Sequence, residues 1–265
     1  MKITLKVAKA SSLEVDSLNI FVFEDELKSG FKDYPPQLVD QIREAITREN
    51  FSGKSGEKLI LSSKGSISSY KLIITGCGKK ADFDIINLSE QVAKSMRTAM
   101  GINAVKVGVR VTDEVLQKNG VQNAIQTICE SVNLSTYRFL RYISSEEIKK
   151  SRTIEEVIIN VNPGSISQAE EGIKIGTLMA KATLNARDLI NEPSQVTTPG
   201  YLAEEALKIG KASQGGVKVN IVDEEEIAKL GMNAFLGVAR GSDQPSKLII
   251  LKYKALKSDK SFYLP

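Results

Sequence analysis

Four short segments combine residue types that could do chemistry. Asp223 to Glu226 sets four carboxylates in a row, and clustered carboxylates can hold a divalent cation. The same run opens a helical pattern, where acidic side chains are favoured by the helix dipole alone. Asp223 reads as an N-cap with Glu226 three residues on, a capping-box-like start. Gly53-Lys54-Ser55 resembles the end of a phosphate-binding loop, but the motif's first glycine would fall on Arg48. Without that turn the backbone amides cannot wrap a phosphate, so this is a surface loop. Gly76-Cys77-Gly78-Lys79-Lys80 follows a strong strand. Glycines there can bring amides to an anion, or make a tight turn before the next helix, and the turn is the expectation. Tyr137, Arg138, Arg141 and Tyr142 interleave rings and cations, a pattern that can stack on bases or simply pack.

The chain has no histidine. That excludes Ser-His-Asp and Cys-His catalysis, HExxH zinc sites and imidazole shuttles within these residues. Chemistry here must use carboxylates, Lys, Tyr, Ser or Cys. The two cysteines, Cys77 and Cys129, read as small buried hydrophobes rather than as a disulfide pair. The 36 basic and 32 acidic residues give a net charge of +4 with the signs interspersed, a weak footprint for nucleic acid. Apolar content of 42% and charged content of 26% are those of a soluble globular protein. No apolar run approaches the ~20 residues of a membrane helix, and MKITLKVAKA leaves no apolar stretch for a signal peptide. The expected location is cytoplasmic.

The elements that must position these residues alternate between strand and helix periods. Strands are expected at Ile3–Val7, Leu18–Glu24, Lys58–Leu61, Tyr70–Gly78, Ala104–Val111 and Val157–Val161. Helices are expected at Pro36–Glu49, Leu88–Met100 and Val121–Val132. This is an α/β layer fold with at least partly parallel pairing. Asn162, Pro163 and Gly164 then break the chain. A helix from Ser165 to Asn191 follows, with Ile166, Ala169, Ile173, Gly176, Met179, Ala182, Ala186 and Ile190 at spacings of three and four. It would span about 40 Å, which suits a connector between two domains, with a core helix of one large domain as the alternative. Pro193 ends it, and Thr197-Thr198-Pro199 restarts a helix with a cap and an early proline. Tyr201–Ala212 and Glu224–Leu230 read as helices, Val217–Val222 and Leu248–Tyr253 as strands. These few elements are thin for an independent core.

Read together, LNARDLINEP and TPGYLAEEA (both within residues 184–206), GMNAFLGVARGS (from Gly231) and LIILKY (Leu248 to Tyr253) resemble the start of the catalytic domain of the leucine aminopeptidase family, the two-metal cytosol aminopeptidases. The likeness extends more weakly through ITGCGKK and TYRFLRY. It implies a macro-like N-terminal α/β domain over residues 1–163, a connecting helix over 164–192, and the truncated beginning of an α/β metallopeptidase domain over 193–265.

The resemblance implies removal of N-terminal residues, often leucine, from peptides. Two divalent metals, zinc or manganese, would activate a water and stabilise the oxyanion, in a cytoplasmic homo-oligomer, a hexamer in the family. The family's metal ligands follow a strand like SFYLP (Ser261 to Pro265), so no catalytic, cofactor-binding or metal-binding residue is assigned here. Arg187, Asp188, Asn191 and Glu192 read as architectural. The chain alone is expected to bind no metal and to be inactive. Two alternatives remain: a non-catalytic module binding DNA or another anionic ligand, and a docking subunit for a full-length aminopeptidase.

Overall fold

Six apolar runs form the first sheet: β1 (Lys2–Lys6), β2 (Ser17–Val22), β3 (Lys58–Ser62), β4 (Lys71–Gly76), β5 (Lys106–Arg110) and β6 (Glu156–Asn160). The computed structural model describes residues 1–27, 31, 33–150 and 153–253. The chain divides into two compact units, residues 1–186 and 187–265. The sheet lies in the first, in the order β1-β6-β5-β2-β4-β3. All pairings are parallel except β3 on β4. Every residue of β2 is buried, as expected of a strand covered on both faces.

Alternation along β2 and β4 sorts the core into two layers. Leu18, Ile20, Val22, Leu72 and Ile74 share one cluster with Leu38, Ile42 and Ala45 of α1 (Pro36–Arg48). Phe21, Phe23 and Ile73 share the other with Leu88, Val92 and Met96 of α2 (Ile85–Gly101). That cluster also holds Val115 and Leu116 of α3 (Asp113–Asn119), and Ile125, Ile128 and Val132 of α4 (Val121–Thr136). Each of the larger side chains among them contributes roughly 1.5–3 kcal/mol by leaving water. Helix α2 starts three residues before the expected Leu88. Asp84 and Asn87 cap it reciprocally, the Asn87 amide donating to Asp84 at 2.8 Å and the Asp84 amide to Asn87 at 2.9 Å. Helix α3 and the short α5 (Ser145–Lys150) have no counterpart in the sequence expectation.

The long helix is α6 (Ile166–Asn191), and the division between the units falls inside it. Its buried face keeps only two small members of the expected series, Ala169 and Gly176, and adds Gly172 and Ala180. Met179 is 52% and Ile190 82% exposed. Close approach to α4 decides this. A Cβ on Gly172 would sit 2.6 Å from the Gln122 carbonyl oxygen, and one on Gly176 would sit 2.5 Å from that of Gln126. Only a face of the smallest residues admits a neighbouring backbone so near.

In the second unit, Thr198 caps α7 (Pro199–Ala212) by accepting from the Tyr201 amide at 3.2 Å. Strands β7 (Val217–Asp223) and β8 (Lys247–Tyr253) pair antiparallel. Between them lie α8 (Glu224–Lys229) and α9 (Asn233–Ala239). The expected segment SFYLP lies outside the described residues.

Candidate functional site

The strand order changes direction between β2 and β5. From β2 the chain builds outward to β4 and β3, then returns to β5, beyond which β6 and β1 lie. In open parallel sheets, ligands bind in the crevice outside the carboxyl ends of the strands at such a point. A cleft of about 1000 Å³ opens there, lined by the segments that follow β1, β2, β5 and β6.

Arg110 ends β5 and is the central group. Its Nη1 donates to Asn160 Oδ1 and its Nη2 to Asn162 Oδ1, each at 3.1 Å. Asn160, fully buried at the end of β6, donates its amide to the carbonyls of Lys6 at 3.0 Å and Ala8 at 2.9 Å. Asn162 Nδ2 donates to the Asp113 carboxylate at 2.6 Å. Two neutral amides thus fix the guanidinium across three strand ends and leave its charge intact. Among the described residues, no carboxylate lies within ion-pair distance of it.

The walls carry charges of both signs and one buried phenol. Burial pushes the Tyr34 hydroxyl's pKa well above its ordinary value, with Arg110 opposing the rise. The Glu114 carboxyl is held below the usual range, chiefly by its own backbone amide, then by Thr112 and by the Lys80 and Arg110 charges. Glu26 on the β2 side is ion-paired with Lys80 at 2.7 Å. Asp33 and Lys9 also line the cleft. The arrangement can orient a small charged molecule over a floor that includes Val22 and Phe23.

The segments singled out in the sequence lie elsewhere, except that Lys80 reaches the cleft wall through its ion pair with Glu26. Gly53-Lys54-Ser55 and Gly76-Cys77-Gly78 meet each other: a Cβ on Gly76 would sit 2.3 Å from the Lys54 carbonyl oxygen. The Gly76, Cys77 and Gly78 amides donate to the carbonyls of Glu57, Val22 and Gly53, so the glycines serve chain packing. Asp223 occupies the N-cap position of α8 without any side-chain cap bond. Its carboxylate pairs with Lys247 instead, so the expected capping box does not form. Glu224 takes the amide and hydroxyl of Ser246 at 2.7 and 2.8 Å. Phe139 and Tyr142 pack as tilted rings 5.8 Å apart, and Arg138 and Arg141 are exposed. Both cysteines are free and buried. Arg110 and Asn160 were not singled out, and Asn162 was named only as part of a chain break. Their one signal is a polar residue closing or just following an apolar strand.

No group of three or more metal-capable side chains forms among the described residues. The described residues thus do not themselves form the two-metal centre that the sequence resemblance implies. Among them, too, no helix is long and apolar enough to cross a membrane.

Comparison with known proteins decides the family. Residues 20–146 match the N-terminal domain of the cytosol aminopeptidase family, and residues 184–264 match its catalytic domain. The chain belongs to the cytosol aminopeptidase family. A probable cytosol aminopeptidase of Alkaliphilus metalliredigens (strain QYMF) is 35% identical over 96% of the chain and 51% of its own length. One from Alkaliphilus oremlandii (strain OhILAs) is 32% identical over 98% and 52%. Among solved structures, a mutant of tomato leucine aminopeptidase superposes with a TM-score of 0.81 at 25% identity, over 98% of this chain and 52% of that one. The bottromycin maturation enzyme BotP in complex with Mn shares the fold, with a TM-score of 0.68 at 19% identity over 91% and 46%. The chain spans about half the length of the curated relatives it matches.

Proposed function

We propose that this chain works as part of a metal-dependent leucyl aminopeptidase that removes N-terminal residues, often leucine, from peptides in the cytoplasm. The observation that carries this reading is the order of the two family matches, N-terminal domain before catalytic domain, along one chain. In this reading residues 1–163 are the macro-like N-terminal domain, 164–192 the connecting helix, and 193–265 the beginning of the catalytic domain. The complete enzyme uses two divalent metals, zinc or manganese, and assembles as a homo-hexamer. The 265 residues alone hydrolyse nothing; their coverage of half of each relative supports that.

Two measurements test the reading. The purified chain, given zinc or manganese, is expected to leave leucine p-nitroanilide intact. Chelator-sensitive hydrolysis would overturn the claim of inactivity. A chimaera joining this chain to the remaining half of the Alkaliphilus metalliredigens relative is expected to cleave the same substrate. A folded, metal-loaded chimaera without activity would count against the aminopeptidase assignment.

A further inference from the structure

The carboxyl-edge cleft of the first unit has a selective charge pattern. Among the described residues, the Arg110 guanidinium bonds Asn160 and Asn162, which set its orientation and leave further N–H groups for a ligand. Asp33, Glu114 and Lys9 line the same space, where Glu26 is paired with Lys80 and Asp113 accepts from Asn162. A phosphate-rich ligand would meet these carboxylates as well as the arginine. A simple cation would meet the arginine. A molecule with both a carboxylate and an ammonium group satisfies all of them. The floor, built in part from buried Val22 and Phe23, suits an apolar side chain between the two charged ends. The cavity of about 1000 Å³ stands at the top of the roughly 300–1,000 Å³ range of small-molecule sites, which favours several residues over one.

We propose that this cleft binds a short peptide with free termini, its carboxylate held by Arg110 and its ammonium group by Glu114 and Asp33. The fork geometry of an arginine matches a carboxylate in two parallel hydrogen bonds. Prior fixing of the guanidinium lowers the ordering cost on binding.

Calorimetric titration of the 265-residue chain in chelator-containing buffer tests this, with a leucyl tripeptide, its C-terminal amide, its N-acetyl form, free leucine and inorganic phosphate. The free tripeptide is expected to bind. The amide and the N-acetyl form should each lose roughly 10- to 100-fold in affinity, the effect of one charge-assisted hydrogen bond. Leucine should bind more weakly than the tripeptide. Arg110→Gln should reproduce the loss seen with the amide and leave little further difference between acid and amide. Should that variant fail to fold, the acid-against-amide comparison on the parent chain decides alone. Equal binding of the tripeptide and its amide, or phosphate binding with no peptide binding, overturns the proposal. So does the absence of tripeptide binding at millimolar concentration.

Discussion

Replacing Gly176 with alanine should destabilise the first unit, against the usual effect of that change inside a helix. On propensity alone, alanine improves a helix interior by about 1 kcal/mol over glycine. At this position the added methyl would lie 2.5 Å from the Gln126 carbonyl oxygen and 2.8 Å from Cys129 Cβ. Ordinary carbon contacts are about 3.5–4.0 Å, so α6 must move from α4 by most of an ångström. The nearest obstacle is backbone, which no rotamer change can clear. Overpacking of this kind costs typically about 1–3 kcal/mol. Here the displacement also loosens the flanking contacts of Ala169, Gly172 and Ala180, placing the cost at the upper end. The net is about 1–2 kcal/mol of lost stability, or roughly 2–8 °C in melting temperature for a unit of this size. Thermal melts followed by circular dichroism measure it. Gly101→Ala, at a helix end with nothing within 4 Å of the new methyl, serves as the control and should melt at or slightly above the parent. If Gly176→Ala melts as high as the parent, the close α4–α6 approach is wrong.

Two further predictions rest on titrating groups. Burial pushes both thiols up to about 12, that of Cys129 aided by the neighbouring Glu130 charge. Both should therefore react slowly with a thiol reagent at pH 8 and promptly in denaturant; prompt labelling of the folded chain would contradict their burial. The Glu224 carboxyl is held below its ordinary range by the Ser246 amide first and hydroxyl second. A depressed folded-state pKa gives stability that is full above the ordinary carboxylate value of about 4.3 and is lost as pH falls through the folded value. Glu224→Gln should weaken the second unit near pH 6, and the gap in denaturant midpoint should narrow as pH falls below the ordinary carboxylate value. A gap that stays constant would refute the linkage.

Legibility in the sequence followed the kind of force involved. Strands β2, β4, β5 and β6 were plain because two-sided burial demands unbroken apolar runs. Thr198 and Pro199 marked the start of α7 because capping is local chemistry. The α6 face was legible at Ala169 and Gly176, which are buried as the periodicity implied, but not at Met179 and Ile190, which are exposed. Gly172 is buried by the approach of another helix, which no window along one segment can register. Asp223 had the spacing of a capping box, yet Lys247, arriving on β8, takes its carboxylate. The cleft was hidden for a related reason. Arg110, Asn160 and Asn162 are ordinary polar residues at strand ends until the sheet order brings β5 beside β6.

The placement of β1 has a consequence for how the chain is made. Lys2 pairs with Glu156 and Lys6 with Asn160, and among the described residues β6 is the one sheet neighbour of β1. The first strand of this sheet to be synthesised therefore waits for the last. At about 5–20 residues per second, that wait is roughly ten to thirty seconds. Throughout it, Ile3 and Leu5 have no ladder partner, and the nascent chain carries an open strand available to any passing edge. Pairing of such long sequence separation also slows folding itself. The lysines at positions 2 and 6 flank this strand, and charge at such an edge discourages the wrong partner while the right one is still being synthesised.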